Sequence, residues 1–271
     1  MKINPFIIFT LFFFIFFSVI PAYSRTIQFA GYDWDVKSGY SGPGANYWSD
    51  SEESVRVDEN GRLRLKIRKI GDHWYCSEVV TRGNAKFGMH RFYVGSRLDN
   101  FDPNVVFAMF LYKDDTHEID MEFSKWGETA PPYNSQYVVQ PYDNIGNMHA
   151  FQTTLEGAYT THSINWQGSF ITFKSIHGHY DEPPAPNYLI QEWTYNGADN
   201  FHEDIEAKVR INLWLKDGLG PIDESEVEVI IHDAELEIDD GSQSPSVPAL
   251  GPGTLLILSF FLIIIARFLM K

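Results

Sequence analysis

His117-Glu118-Ile119-Asp120-Met121-Glu122-Phe123 alternates acidic and apolar residues from Glu118 onward without a break. Successive side chains of a β-strand point to opposite faces, so Glu118, Asp120 and Glu122 share one face and Ile119, Met121 and Phe123 the other. The stretch predicts an amphipathic strand with its apolar side in a core and three carboxylates on the opposite side. Carboxylates this close disfavour one another's ionisation, so at least one should hold its proton above the ordinary range. A protonated carboxyl beside an ionised one is the pair that glycoside cleavage uses: one protonates the leaving oxygen and the other attacks or assists. Alternating acids on a solvent-facing strand are also ordinary in an acidic chain. Glu235-Leu236-Glu237-Ile238-Asp239 repeats the alternation, so the pattern by itself leaves both readings open.

The chain has 271 residues, and its two ends read differently from its middle. Residues 3–20 are almost wholly apolar, with Lys2 before them and Pro21-Ala22-Tyr23-Ser24 after them. A basic start, an apolar run and a small-residue exit predict a secretory signal peptide over 1–24, cleaved after Ser24. An uncleaved N-terminal anchor is the alternative. At the other end, residues 241–253 form a linker with a Pro-containing motif, and 254–271 form an apolar segment closed by Arg267 and Lys271. That segment is about as long as the shortest spanning helices, and its basic end suits the cytoplasmic side. The layout resembles the C-terminal sorting tails of bacterial exported proteins, which a membrane protease recognises and cuts. A plain membrane anchor fits equally well. An exported protein of the cell envelope or the extracellular space is expected.

Residues 25–240 are enough for one β-sandwich domain with a sizeable core. The whole chain carries −15; both tails lack acids and hold three basic residues, so the middle alone carries −18. A domain this acidic is a poor partner for nucleic acid or for an anionic polymer, and a neutral glycan suits it better. The one cysteine, Cys76, excludes an intramolecular disulfide and reads as a small buried hydrophobe. The nine histidines show no zinc spacing, and no metal site is read.

No long stretch of the domain has helical periodicity. Ser54-Val55-Arg56-Val57 and Arg62-Leu63-Arg64-Leu65-Lys66-Ile67-Arg68 flank an Asn60-Gly61 turn and predict a hairpin. Further strands are expected over 78–81, 88–98, 105–112, 118–123, 136–140, 161–166, 170–175, 188–194, 210–215 and 226–238. Many short alternating strands point to a sandwich or jelly roll. Residues 39–50 and 177–187 are the longest irregular stretches, of the kind that build functional rims.

With the strands placed, Glu118-Ile119-Asp120-Met121-Glu122 resembles the unbulged Glu-x-Asp-x-Glu signature of glycoside hydrolase family 16, the licheninase and xyloglucan-transglycosylase type. Gly88-Met89-His90-Arg91-Phe92-Tyr93-Val94, Thr161-His162-Ser163-Ile164-Asn165-Trp166 and Arg210-Ile211-Asn212-Leu213-Trp214-Leu215 resemble further segments of that family, in its order. The resemblance implies an all-β, concanavalin-like jelly-roll sandwich of two curved antiparallel sheets with a cleft on the concave face. It implies Glu118 as nucleophile, Glu122 as general acid/base and Asp120 as the residue that tunes them. By the same resemblance, Asn46, Trp48, Glu78, Gln136, Gln140, Asn212 and Trp214 are candidate substrate-binding residues, with His162 and Trp166 behind them. The family's tryptophan two positions before the nucleophile is replaced by Thr116. A monomer needing no cofactor is expected, and a structural calcium is compatible with this fold. The expected activity is retaining endo-β-glucanase action on a neutral β-glucan, with β-1,3-1,4-glucan the first polysaccharide to try. A glucan transglycosylase and a non-catalytic glycan-binding envelope protein are the competing readings.

Overall fold

The computed structural model describes residues 22–239. The signal-peptide run, the linker and the apolar tail lie outside these residues, except that the expected cleavage point after Ser24 falls within the first strand. The strands are β1 (Ala22–Phe29), β2 (Tyr32–Ser41), β3 (Asn46–Trp48), β4 (Val55–Val57), β5 (Leu63–Ile70), β6 (His73–Thr81), β7 (Asn84–Ala85), β8 (Gly88–Gly95) and β9 (Val105–Asp114). They continue with β10 (His117–Ser124), β11 (Ser135–Val139), β12 (Met148–Phe151), β13 (Tyr159–Gln167), β14 (Phe170–His177), β15 (Leu189–Tyr195), β16 (Lys208–Leu215), β17 (Val227–Glu235) and β18 (Ile238–Asp239). Short 3-10 turns are the only helical segments among the described residues.

One sheet runs β12-β11-β10-β9-β16-β6-β2-β1, and the other runs β4-β5-β17-β8-β13-β14-β15. The β5–β6 hairpin passes from one sheet to the other, paired only from Arg68↔Tyr75 to Ile70↔His73. Every pairing is antiparallel except β3 with β6. This is the jelly-roll sandwich that the alternating strands imply.

The core lies between the sheets. Ile119, Met121 and Phe123 are fully buried there, beside Phe107, Met109 and Leu111 of β9 and Val209, Ile211 and Leu213 of β16. Tyr137 crosses the gap, stacking on Phe173 at 5.0 Å and donating its hydroxyl proton to the Ser175 Oγ at 2.7 Å. The apolar half of the alternation is therefore a core face, and each such side chain contributes about 1.5–3 kcal/mol by leaving water.

Local chemistry sets the turns. Ala30 and Gly31 both have positive φ, which makes the two-residue connection of β1 and β2 the kind that matches strand twist. The Asn60-Gly61 hairpin closes on Asp58, whose carboxylate accepts from the backbone N–H groups of Asn60 and Arg62. Residues 39–50, expected as an irregular rim, instead hold the end of β2, a short loop and β3, because β3 finds a parallel partner in β6.

Candidate active site

The β9–β10 connection places the carboxylate strand. Asp114 Oδ1 accepts from the backbone N–H and the hydroxyl of Thr116 and bonds His117 Nδ1, which ties the turn to itself. His117 pairs with Asp114 but Glu118 pairs with Tyr112, so Lys113 is an extra residue in β9. Such a bulge bends its strand and re-aims its neighbours. From Glu118 to Ser124 the register then runs without a shift, and the motif itself is unbulged.

Register turns the concave sheet into rows of side chains. Glu122 lies opposite Ala108, Ala108 opposite Asn212, and Asn212 opposite Glu78. One row over, Asp120 lies opposite Phe110 and Phe110 opposite Arg210. These rows form the floor of a cleft of about 660 Å³ that also reaches Lys37, Gln140 and Trp214. Ala108, the smallest side chain in its row, leaves open space between Glu122 and the Asn212–Glu78 side.

All three acids face this cleft. Asp120 is 3% exposed, and Glu118 and Glu122 are half-buried. Burial is the main reason their protons are held: it raises all three, Asp120 well above its usual range, and which of these interacting acids is ionised is set by their neighbours. The neighbours differ. Asp120 is hydrogen-bonded to Glu118, in the sense that favours a protonated Asp120 donating to an ionised Glu118. The positive charge of Arg210 also favours the ionised form of Glu118. Glu122 has the Gln136 amide alone, which donates to its Oε2 at 2.7 Å. Gln140 donates to Asp120 Oδ2 at 3.3 Å.

The far side of the floor is a buried ion cluster. Glu78, 1% exposed, accepts from Lys37 Nζ at Oε2 and from Arg210 Nη1 at Oε1, each at 2.9 Å. Lys37 also donates to the Gly42 carbonyl and sits 3.8 Å above the centre of the Trp48 ring. Burial pulls the Lys37 ammonium below its ordinary value despite the carboxylate beside it. The Arg210 guanidinium stacks 4.4 Å over Tyr112, the residue opposite Glu118. Two buried polar atoms of β16 on this floor, Arg210 Nε and Asn212 Oδ1, have no protein partner among the described residues, and neither has Ser41 Oγ of the cleft lining. Orphaned groups of this kind cost about 1–3 kcal/mol each when nothing meets them.

The structure brings Glu78, Gln140, Asn212 and Trp214 to the cleft with the three acids, and Gln136 against Glu122. It corrects two expected contacts. Asn46 is 2% exposed, and its amide donates to the Pro43 and Leu215 carbonyls, so it ties two loops together instead of facing the cleft. Trp48 is 2% exposed, donates to the Ser41 carbonyl and lies beneath Lys37. Asn46 and Trp48 share one face of β3, and that face is the buried one. Gly42 and Pro43 line the cleft in their place. His162 and Trp166 are core residues, bonded to Ser175 and Thr160 and to Asn200 and Phe201 respectively.

Sequence reasoning missed Arg210, Lys37 and Tyr112. Arg210 was within reach, because Arg210, Asn212 and Trp214 are spaced two apart on one strand. The second acidic alternation ends differently: β17 stops at Glu235, an exposed residue bonded to Arg91 and Tyr93 on the other sheet. Cys76 is buried against Asn46, and burial pushes its thiol up to about 12. Among the described residues no cluster of His, Cys, Asp or Glu is arranged to hold a metal ion, and no helix is long and apolar enough to cross a membrane.

No family sequence model and no curated protein sequence matches the chain. Solved structures do match. The β-glucanase of Bacillus licheniformis superposes with a TM-score of 0.53 at 18% identity, covering 79% of this chain and 96% of that one. A glycoside hydrolase family 16 endo-glucanase from Bacteroides ovatus gives 0.52 at 14%, covering 75% and 94%. A laminarinase from Flavobacterium sp. UMI-01 gives 0.53 at 14%, covering 75% and 92%. The chain shares the fold of these three structures.

Proposed function

We propose that the protein is a retaining glycoside hydrolase of family 16 that cleaves a neutral β-glucan internally by double displacement. One observation carries the reading: Glu118, Asp120 and Glu122 share one face of an unbroken strand on the floor of an open cleft, with their apolar alternates in the core.

In this mechanism the Glu118 carboxylate attacks the anomeric carbon while Glu122 gives its proton to the departing oxygen. The bond to the leaving sugar breaks, and an ester to Glu118 forms. In the second step Glu122, now ionised, takes a proton from water as that water attacks the same carbon and releases Glu118. Two inversions leave the configuration retained. Asp120, donating to Glu118, stabilises the carboxylate that is present before the first step and after the second. Arg210 adds a positive charge on the same side. Glu122 needs the proton first, and it has neither aid. A pyranose hydroxyl can accept from Arg210 Nε and donate to Asn212 Oδ1, satisfying both orphaned atoms at once.

The net charge of −18 on residues 25–240 disfavours uronic or sulfated sugars. The fold neighbours named as β-glucanase and laminarinase support a β-glucan, and β-1,3-1,4-glucan is the first to test. The apolar run at 3–20 and the segment 254–271 support an exported protein held at a membrane by its C-terminal end. The test is to incubate the full chain in mild detergent with barley mixed-linkage glucan, laminarin, xyloglucan and agarose. New reducing ends on one polymer support the hydrolase and name its substrate. Redistributed chain lengths without new reducing ends mean a transglycosylase. No change on any of the four overturns the β-glucanase reading.

A further inference from the structure

Gln140 follows directly on β11, and its amide meets Asp120. Which end of the amide points there is decided by the backbone. The Tyr142 N–H donates to Gln140 Oε1 at 2.9 Å, so Nε2 is the end left to donate to Asp120 Oδ2, at 3.3 Å. An oxygen that accepts from Gln140 is the poorer seat for the proton of Asp120 itself. That proton is thereby favoured on the other oxygen, free to be donated. The Gln140 N–H also donates to the Glu118 carbonyl at 3.0 Å, which ties this residue to the catalytic strand.

The Tyr142 N–H sits on a connection, residues 141–147, that packing does not hold. Tyr142 is 62% exposed and Ile145 is wholly exposed. Two successive turns shape the connection: Asn144 donates its backbone N–H to the Pro141 carbonyl at 3.2 Å, and Asn147 donates its own to the Asn144 carbonyl at 3.1 Å. One buried side chain then locks it. Asn147, 3% exposed, donates Nδ2 to the Pro141 carbonyl at 3.0 Å and to Asp199 Oδ2 at 2.9 Å, and it accepts from the Tyr195 hydroxyl at 3.0 Å. Asn144 Nδ2 reaches the same Asp199 oxygen at 3.1 Å. The Pro141 carbonyl and the Tyr142 N–H are two ends of one planar peptide group. Asn147 grips that group at one end and Gln140 at the other. A continuous line of bonds therefore runs from Asp199, on the connection after β15, to Asp120.

We propose that Asn147 and Asp199 are positioning residues: by pinning the Pro141–Tyr142 peptide they hold the Gln140 amide on Asp120 and keep the Asp120 proton directed at Glu118. The proposal rests on the double-displacement reading above. The other groups that face the two acids come from elsewhere. Glu122 shares their strand, Arg210 lies on β16, Tyr112 lies on β9 and Asp115 just after it. Releasing the connection therefore changes one contact of Asp120 and none of these groups. Glu122 is held by Gln136, a β11 residue that the line of bonds bypasses. Asp199 itself lines a hollow with one further charged residue among the described residues, Asp143, of the same sign.

The test reads the nucleophile through the acid limb of its pH profile. The full chain in mild detergent, its Asp199→Ala, Asp199→Asn and Gln140→Met variants, and the Gln140→Met, Asp199→Ala double variant are assayed on an aryl β-oligoglucoside across pH. For Asp199→Ala, kcat should fall roughly tenfold with KM little changed, because a loosened amide misplaces the acids without removing a sugar contact. The acid limb of kcat/KM should move to higher pH, since Glu118 loses a donor that favours its ionised form. The alkaline limb should stay. Asp199→Asn keeps an acceptor for both amides and should restore most of the loss. In the Gln140→Met background, Asp199→Ala should add nothing. An unmoved acid limb, two limbs that move together or additive losses overturn the positioning role. Should the alanine variant not fold, Asp199→Ser, too short to reach either amide, takes its place with the same expected outcomes. A wild type that turns over no glycoside defeats the hydrolase reading alone, and the side-chain carboxyl titrations are then followed by NMR. The Glu118 signal, assigned by its absence from Glu118→Gln, should titrate higher in Asp199→Ala, and an unchanged titration overturns the proposal.

Discussion

Gln136 stands directly across from Glu122 on the neighbouring strand and donates its amide N–H to Glu122 Oε2 at 2.7 Å. The bond leaves Oε1 to carry the catalytic proton and fixes where it points. A hydrogen bond donated to a carboxylate favours the ionised form. Gln136→Leu should therefore raise the Glu122 carboxyl further and move the alkaline limb of the kcat/KM profile to higher pH. Turnover at the optimum should drop about tenfold or more, since an acid loses part of its 10²–10⁴-fold effect when its aim is loosened. An alkaline limb that stays put while activity falls would assign Gln136 to packing alone.

Arg210 makes the complementary case on the other carboxylate. Its charge favours ionised Glu118, so Arg210→Met should raise Glu118 and shift the acid limb of kcat/KM upward in pH. The measurement is a pH–rate profile on an aryl glycoside, whose good leaving group reduces the demand on Glu122. An acid limb that does not move would detach Arg210 from the nucleophile and leave it its bond to Glu78 and its stacking on Tyr112.

Stability should record the same protons. Glu122 has a folded value of about 7 against about 4.3 for an unfolded glutamate. The folded state then binds the proton more tightly, so this contribution is fully present below about pH 4 and is lost as pH rises through 7. Glu122→Gln has no proton to lose in that window. Its melting temperature should match the wild type near pH 4 and exceed it at pH 8, in a pair of thermal scans at each pH. A wild type more stable than the variant at pH 8 would contradict the buried, proton-holding carboxyl.

The ion cluster at Lys37, Glu78 and Arg210 has a different signature. Removing one partner of a buried pair costs about 3–5 kcal/mol, because the other charge is left uncompensated. Glu78→Leu should lower the melting temperature by about 10 °C. Adding Lys37→Met should recover a large part of that loss, since an apolar pair of similar volume is often as stable as the ions it replaces. A double variant no better than the single one would mean that the single loss came from cavity formation and not from the stranded ammonium.

Much of the fold could be read in the residues because one face of each strand is buried. β5 and β10 alternate over most of their length, β9 is apolar almost throughout, and the expected spans of these strands and of β14 and β16 lie within three residues of those observed. Strand β2 also alternates, with Trp34 and Val36 buried, yet Lys37 is buried as well, through its long-range bond to Glu78. Three-residue β3 exists only because β6 lies beside it in parallel. The three acids were legible because they occupy one face of a single strand. Asn46 and Trp48 were misplaced because their side chains answer to distant groups, the Leu215 carbonyl and the Lys37 ammonium. The bulge at Lys113 was invisible for a related reason: either register satisfies the local turn, and only the sheet beyond it decides.

The central claim is a covalent glycosyl ester on Glu118. The most direct measurement is to treat the protein with a 2-deoxy-2-fluoro β-oligoglucoside carrying a dinitrophenyl leaving group, then digest it and map the added mass. The fluorine slows both steps and the good leaving group speeds the first, so the ester accumulates. A single sugar adduct on Glu118, absent from Glu118→Gln, is the expected result. An adduct on Glu122, or none at all from a protein that turns over the unfluorinated aryl glycoside, would contradict the account.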